Sequence, residues 1–359
     1  PTLARWLQSN GYRTWYVGKW HNNGRPTDHG YQATRGLYMG GGGRFATPQQ
    51  DHAGRAVTGY KGWIFQDDNG NLFPEHGVGL TANISSRFAD AAVEIIETTG
   101  GNSEPFFLHV NFTAPHDPLI LPPGWEQTYQ SSQMPLPANF LPEHPFDHGN
   151  LRGRDELLFQ WPRTPTETQS ELAAYYAVIS HMDQQVGRIL TAMQKHNLTD
   201  NTIVVFTSDH GLAIGSHGLR GKQNMYEHTI GVPMILSGPG IPIDHRFTAD
   251  CYLRDLFPTL CDLAKVDGPA DSIDGRSLAP VLTGQKEQIH DFIIGSFRDS
   301  QRMIRQNHWK YIRYPVAQRD QLFNLQGDPL EQKDLSNDPA VAAIRQSLST
   351  QLDDWFAQW

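Results

Sequence analysis

The sequence predicts an α/β fold: a mixed, mostly parallel central sheet flanked by helices, followed by a small C-terminal antiparallel sheet plus one helix. Three observations predict it. Short apolar runs stop at polar clusters after Val17, Phe112 and Phe206, as strands do at the carboxyl edge of an open α/β sheet. Apolar residues at helical spacing fill 81–98 and 171–196, between those runs. Beyond a turn-rich stretch, short strand-like segments follow at meander spacing and close on a helix.

Taken in order, the chain opens with Thr2-Leu3-Ala4-Arg5-Trp6-Leu7, an amphipathic helical pattern that stops at Asn10-Gly11. Residues 13–17 make a short strand, with Gly18-Lys19-Trp20-His21 at its carboxyl end. Alternation along an extended backbone puts Lys19 and His21 on one side. So placed they can clamp an oxyanion and move a proton; a solvated loop lysine is the plain alternative. Residues 28–50 read as loop, and their run Gly40-Gly41-Gly42-Gly43 lacks the Lys-Ser/Thr and helix start of a phosphate-binding loop, which makes it a flexible connection. Residues 59–79 are turn-rich, a hairpin or an excursion near the rim. In 81–98, Ile84, Phe88, Ala91, Ala92, Ile95 and Ile96 fall on one helical face. Residues 100–104 end that helix, and Pro105 leads into an apolar strand at 106–112.

Ala114-Pro115-His116-Asp117-Pro118 comes next. Its prolines stiffen the backbone around His116, which suits a side chain that must be held in place, and equally a turn histidine bonded to its own loop. Residues 122–165, rich in Pro, His and Trp without periodicity, form a long surface excursion where substrate selectivity is expected. Residues 171–196 carry Tyr175, Val178, Ile179, Met182, Val186, Ile189, Leu190 and Met193 as one helical stripe. Then 203–206 read as a buried strand of a parallel sheet that stops at Thr207-Ser208-Asp209-His210-Gly211. Asp209 offers a hard oxygen donor and His210 an imidazole, on a turn that Gly211 tightens. Side by side they could hold a divalent cation, or be a capping Asp beside a surface His. Val232-Pro233 opens another strand, and 255–260 a helix packed on the sheet. The turn-rich 267–284 divides a domain at 1–284 from a subdomain at 285–359, where 292–297, 302–306, 310–314 and 321–325 read as strands and 339–356 as a helix.

With 359 residues the chain can bury a sizeable core. A formal net charge of -9 speaks against a nucleic-acid binder, for which a basic face is expected. An anionic substrate then has to be held by a few local cations. Cys251 and Cys261 imply neither a disulfide framework nor a zinc cluster. No apolar run reaches the ~18 residues of a membrane span, and no repeat of solenoid period is present. Asn83, Asn111 and Asn197 fall in Asn-x-Ser/Thr triplets.

With these pieces placed, the chain resembles the formylglycine-dependent sulfatases of the alkaline phosphatase superfamily. The text that carries the resemblance is Gly11-Tyr12-Arg13-Thr14 with Val17-Gly18-Lys19-Trp20-His21, Ala114-Pro115-His116-Asp117-Pro118 and Thr207-Ser208-Asp209-His210-Gly211. It continues with Gly218-Leu219-Arg220-Gly221-Lys222, Tyr226-Glu227, Val232-Pro233, Trp309-Lys310-Tyr311 and Leu322-Phe323-Asn324-Leu325, followed by Asp328-Pro329. The resemblance implies hydrolysis by the hydrated aldehyde made from a cysteine in Cys-x-Pro-x-Arg: one hydroxyl attacks sulfur, the alcohol leaves, and the second hydroxyl collapses the intermediate. It further implies that Asp209 and His210 are calcium ligands, magnesium being the alternative, and that Lys19 and Lys222 contact sulfate oxygens. His116 would protonate the leaving oxygen and His21 take the proton that drives collapse, with His217 a supporting residue. His210, where many members carry Asn, is similar to a branch that includes phosphonate monoester hydrolases. The implied partner is a sulfated small molecule or glycan, and the implied location periplasmic or secreted.

The chain also departs from the family. The expected Asp-Asp pair at the end of a first strand, which completes the metal site, and the nucleophile motif on the next helix are both missing from this sequence. Cys251 is followed by Tyr252-Leu253-Arg254-Asp255 and Cys261 by Asp262-Leu263-Ala264-Lys265, so neither fits the motif. Calcium takes six to eight ligands, of which Asp209 and His210 supply a fraction. The expectations are therefore a sulfatase whose N-terminal portion precedes Pro1, inactive as the 359 residues alone, and acting in full on a carbohydrate sulfate. A phosphonate or phosphate ester hydrolase, choline sulfate cleavage, and a non-catalytic binder of sulfated glycans are the alternatives. All rest on one spatial condition: Lys19, His21, His116 and Lys222 must converge with Asp209 and His210.

Overall fold

A computed structural model of the chain describes residues 2–99, 104–268 and 273–358. Helix α1 (Leu3–Ser9) starts where Thr2 accepts the Arg5 N–H, and it buries Ala4 and Leu7. Strands β1 (Arg13–Lys19), β2 (Ala33–Met39), β3 (Ile64–Gln66) and β4 (Phe106–Asn111) form one sheet in the order β3-β2-β1-β4. β1 runs parallel to β2 and β4, while β3 pairs antiparallel at the edge. β1 reaches two residues further than its apolar run, so Lys19 is its last residue.

β2 lies inside residues expected to be loop. Its apolar pattern is interrupted by Arg35 and by Gly36 at φ +55, and pairing with β1 makes it a strand. Gly36 also lets helix α2 (Ile84–Thr99) approach, since a Cβ there would stand 3.1 Å from that of Ala91. The predicted face of α2, including Phe88, Ala92 and Ile95, packs with Val17, Tyr38 and Phe65. Of its expected terminator at 100–104, residues 100–103 lie outside the described residues.

Helix α3 (Pro165–Lys195) begins six residues before its predicted start. Thr164 caps it by accepting the Glu167 N–H at 3.2 Å, and Pro165 takes the first helical position, but a polar first turn hides this from an apolar-periodicity reading. Val178, Met182 and Met193 of the stripe are buried, whereas Leu190 turns outward.

The strand before Asp209 corrects an expectation. β5 (Val204–Thr207) pairs antiparallel with β6 (Met234–Ser237) in a two-stranded sheet of its own, and its residues are half-buried. Between the two strands stands only the four-residue α4 (Glu227–Ile230), and a parallel pair would need a full crossover. Helix α5 (Leu256–Leu263) follows as expected, and α6 (Ala279–Leu282) lies within the turn-rich 267–284, of which 269–272 are outside the described residues.

β7 (Ile293–Phe297), β8 (Gln301–Gln306), β9 (Trp309–Tyr314) and β10 (Arg319–Asn324) form the antiparallel meander that the sequence predicts. One face takes Leu348 and Leu352 of helix α7 (Ala342–Phe356) against Ile304, Tyr311 and Leu322. The other face puts Met303, Ile312, Tyr314 and Phe323 against Ala213, Leu219, Met225 and Tyr226. The C-terminal sheet thus shares a core with the loop that carries Lys222.

Candidate active site

Lys19 sits where β1 meets β4. Gly18, at φ +99, runs so close to β4 that a Cβ would stand 2.1 Å from the Asn111 carbonyl oxygen. The Asn111 side chain donates to the Lys19 carbonyl at 2.9 Å, and the Tyr16 hydroxyl donates to the same oxygen. The Lys19 ammonium lies over the Tyr60 ring, 5.2 Å from its centre. Burial lowers its pKa, opposed by Asp209 and helped by Lys222.

His116 follows β4 in a turn where its Nδ1 lies 2.7 Å from the Asp117 carbonyl oxygen, which can only accept. Nδ1 therefore carries the proton and donates, and Nε2 is left to accept from the Lys222 ammonium at 2.7 Å. Burial pushes His116 down to about 4, with Asp117 pulling it up and Lys222 adding to the fall. Its resting form is the neutral imidazole.

Lys222 is held from two sides. The Asp155 carboxylate takes its ammonium at 3.1 Å, itself bound by Arg154 at 2.8 Å and Gln223 at 3.0 Å. The turn before it is locked by the buried Glu156, whose oxygens accept the N–H groups of Arg220 and Gly221, each at 2.8 Å. Arg220 in turn ties Asp117, beside His116, to Glu171 on α3, at 3.1 and 2.7 Å.

His21, His116, Lys222, Asp155, Tyr60 and Trp63 line one cavity of about 730 Å³. His21 is exposed, packs edge-on to Trp63 at 5.1 Å, and makes no hydrogen bond among the described residues; burial, then Lys19 and Lys222, lower its pKa. Lys19, Asp209 and His210 stand beside the cavity instead of on its wall. The His210 ring lies 5.7 Å from that of His116. His217 sits apart, buried and stacked on Tyr226 at 3.9 Å.

Sequence reasoning missed Asp155, Glu156, Arg154 and Asn111 as supports of the site. The first three lie in the aperiodic excursion, where no spacing signals a partner; their signal would have been carboxylates in number among residues that must pair with Arg220 and Lys222.

A family model described as Sulfatase matches residues 1–266. The chain belongs to the sulfatase family. A second model, N-sulphoglucosamine sulphohydrolase, C-terminal, matches residues 215–358 of this sulfatase. It is 28% identical over 378 residues to a choline-sulfatase of Rhizobium meliloti (strain 1021), covering 100% of this chain and 72% of that protein. With an arylsulfatase of Clostridium perfringens (strain 13 / Type A) it shares 33% over 242 residues, 66% of this chain and 50% of the relative. The chain thus spans half the length of that arylsulfatase. A solved structure in complex with its substrate D-glucosamine-2-N,6-O-disulfate superposes with a TM-score of 0.75 at 21% identity, over 99% of this chain and 82% of the other. A phosphonate monoester hydrolase of Agrobacterium radiobacter gives 0.75 at 20%, over 100% and 80%. These two likenesses establish the alkaline phosphatase-type fold of this sulfatase.

The calcium ion that the resemblance implies does not find a complete donor set here. His210 Nε2 stands 3.6 Å from Asp209 Oδ1, but the described residues contain no group of three metal-ligating side chains. The nearby Asp117 and Asp155 are committed to arginines and Lys222. One carboxylate and one imidazole fall short of six to eight ligands. No helix among the described residues is long and apolar enough to cross a membrane.

Proposed function

We propose that this chain is the substrate-holding and proton-handling part of a sulfuric ester hydrolase whose substrate is a carbohydrate sulfate. One observation carries the proposal: in a single cavity a lysine anchored by Asp155 meets a histidine whose unprotonated Nε2 accepts from it. Lys222 and Lys19 would donate to sulfate oxygens, where ammonium groups in a partly dry site stabilise developing charge. Negative charge arriving with the ester favours protonation of His116 at Nε2, and that proton would pass to the leaving oxygen. His21, with no hydrogen bond among the described residues, is available to accept a proton from the nucleophile's side. The nucleophile that the resemblance implies is a formylglycine made from a cysteine in Cys-x-Pro-x-Arg. Neither Cys251 nor Cys261 lies in Cys-x-Pro-x-Arg, so the 359 residues by themselves are proposed to bind without turnover. Asp209 and His210 would be two ligands of a calcium ion completed by groups outside this set. An extracytoplasmic location belongs to the same proposal.

Isothermal titration of the chain with inorganic sulfate tests the binding half. Losing one charge-assisted hydrogen bond, worth about 1.5–3 kcal/mol, should weaken Lys222→Ala by roughly ten- to a hundredfold. Catalysis is tested in a protein that joins this chain to a matured Cys-x-Pro-x-Arg segment, by sulfate release from sugar sulfates. Unchanged kcat/KM after His116→Ala and Lys222→Ala would refute the roles. The Asp209-His210 pair favours a second reading, phosphonate or phosphate ester hydrolysis; faster turnover of matched phosphate esters would select it. Binding with no turnover in the joined protein would select a non-catalytic receptor for sulfated glycans.

A further inference from the structure

The cavity is lined by four cations, Arg152, Arg154, Lys222 and Arg298, and two carboxylates, Asp147 and Asp155. Most of these charges are spoken for. Lys222 and Arg154 share Asp155, and Arg154 also binds Asp117. Asp147 accepts the N–H groups of Gly149 at 2.8 Å and Leu151 at 3.4 Å, which shape its own loop. Arg152 and Arg298 are different: among the described residues neither makes an ion pair or a side-chain hydrogen bond. Arg152 packs on Trp161 at 5.7 Å and Arg298 on Phe297 at 5.1 Å, contacts that orient a guanidinium and leave its donors unused. Asp299, next to Arg298, pairs with Arg302 at 3.1 Å instead.

The two arginines come from distant segments that are built against each other. Arg152 lies in the long excursion and Arg298 in the turn between β7 and β8. Gln301, fully buried, donates to the carbonyls of His148 at 3.0 Å and Gln223 at 2.9 Å, joining that turn to the excursion and to the Lys222 loop. Gly149, at φ +91, lets the excursion close on the turn: a Cβ there would stand 2.3 Å from that of Ser300.

We propose that Arg152 and Arg298 form an anion subsite beside the sulfate site, selecting saccharides that carry a second sulfate or a carboxylate near the ester to be cleaved. This rests on the sulfate-site reading above. Guanidinium forks match both anions bidentately, and two unpaired ones repel the quaternary ammonium end of a zwitterionic ester. The subsite therefore disfavours choline sulfate, the substrate class named for a relative 28% identical to the whole chain.

The test is titration of the full chain with three probes: N-acetylglucosamine 6-sulfate, a heparin-type disaccharide bearing sulfates and a uronate, and choline sulfate. The expected order is disaccharide tightest and choline sulfate weakest. Joint Arg152→Ala and Arg298→Ala should cost the disaccharide roughly tenfold, leaving the monosulfated sugar unchanged as a control for folding. A monosulfated probe that binds normally, with the disaccharide indifferent to both substitutions, would overturn the subsite alone. Choline sulfate bound as tightly as the disaccharide would do the same. Failure of the unsubstituted chain to bind any sulfated probe would overturn the sulfate site and the subsite together.

Discussion

Glu156→Gln tests whether a buried carboxylate, remote from the substrate, sets the position of Lys222. Glu156 is 1% exposed and accepts three hydrogen bonds: Gly221 N–H at one oxygen, Arg220 N–H and the Arg163 guanidinium at the other. An amide keeps only one of those oxygens. In its better orientation it still serves Arg220 and Arg163 but turns an NH2 group towards the Gly221 N–H, donor against donor. The orphaned N–H costs about 1–3 kcal/mol, and the bond to Arg163, no longer charge-assisted at both ends, loses about 1 kcal/mol more. The total of about 3 kcal/mol lies at the low end for a broken buried pair, because Arg163 keeps the carbonyls of Glu156 and Phe159. Urea denaturation followed by tryptophan fluorescence reads the loss, and sulfate titration of the same variant reads the geometry, since the turn before Lys222 is freed. A change below about 1 kcal/mol would refute the estimate. Full destabilisation with unaltered sulfate affinity would show that Glu156 supports the fold without placing Lys222.

Three further outcomes are expected. By NMR, the His116 ring should titrate with a midpoint at about 4 and move up when sulfate binds. Because the folded value lies below the unfolded ~6.5, its contribution, about 3 kcal/mol, is complete above pH 6.5 and lost as pH falls to about 4, which pH-dependent denaturation checks. Gly18→Ala should cost about 3 kcal/mol or more in chemical denaturation, since φ +99 and a Cβ 2.1 Å from the Asn111 oxygen force β1 from β4; a neutral result would refute the close approach. Lys310→Met removes an ammonium with no exposed surface that binds Glu227 at 2.9 Å and Glu331 at 2.7 Å; Glu227 keeps Arg305 at 3.0 Å, while the buried Glu331 is left without an ion-pair partner among the described residues. It should lower the melting temperature by roughly 4 °C, and an unchanged value would show that the pair is dispensable.

The elements legible in the sequence were those whose local pattern and tertiary environment agree. The meander from β7 to β10 has strands of even length with turns between, and its predicted limits differ from the observed ones by one or two residues. β2 was illegible because its strand state comes from β1 beside it, against a sequence broken by Arg35 and Gly36. β5 showed its existence but not its partner, since an apolar run of four residues looks the same in either direction of pairing. For the site, motif residues at strand ends were readable because the end of a strand is visible in sequence. Asp155 and Glu156 were not, because what makes them matter is a contact with Lys222 and Arg220 across more than sixty positions of chain.

Those hidden carboxylates explain how a chain of net charge -9 can present cations to an anion. Asp51, Arg55, Glu171, Arg220, Asp117, Arg154, Asp155 and Lys222 form one string of alternating charges, each in contact with the next. As a whole the string is neutral, which makes its burial tolerable where an isolated lysine or aspartate would be expelled or neutralised. Its ends are not equivalent. The carboxylate end, Asp51, is not on the cavity wall and spends its other oxygen on the backbone of Ala53 and Arg55, while the ammonium end, Lys222, lines the cavity and reaches His116. Orientation of the string, more than its sum, gives the local field that the global charge opposes. Removing a carboxylate near the cavity would therefore raise local positive charge yet loosen the lysine that carries it, so affinity for sulfate depends on the order of these groups along the string as much as on their number.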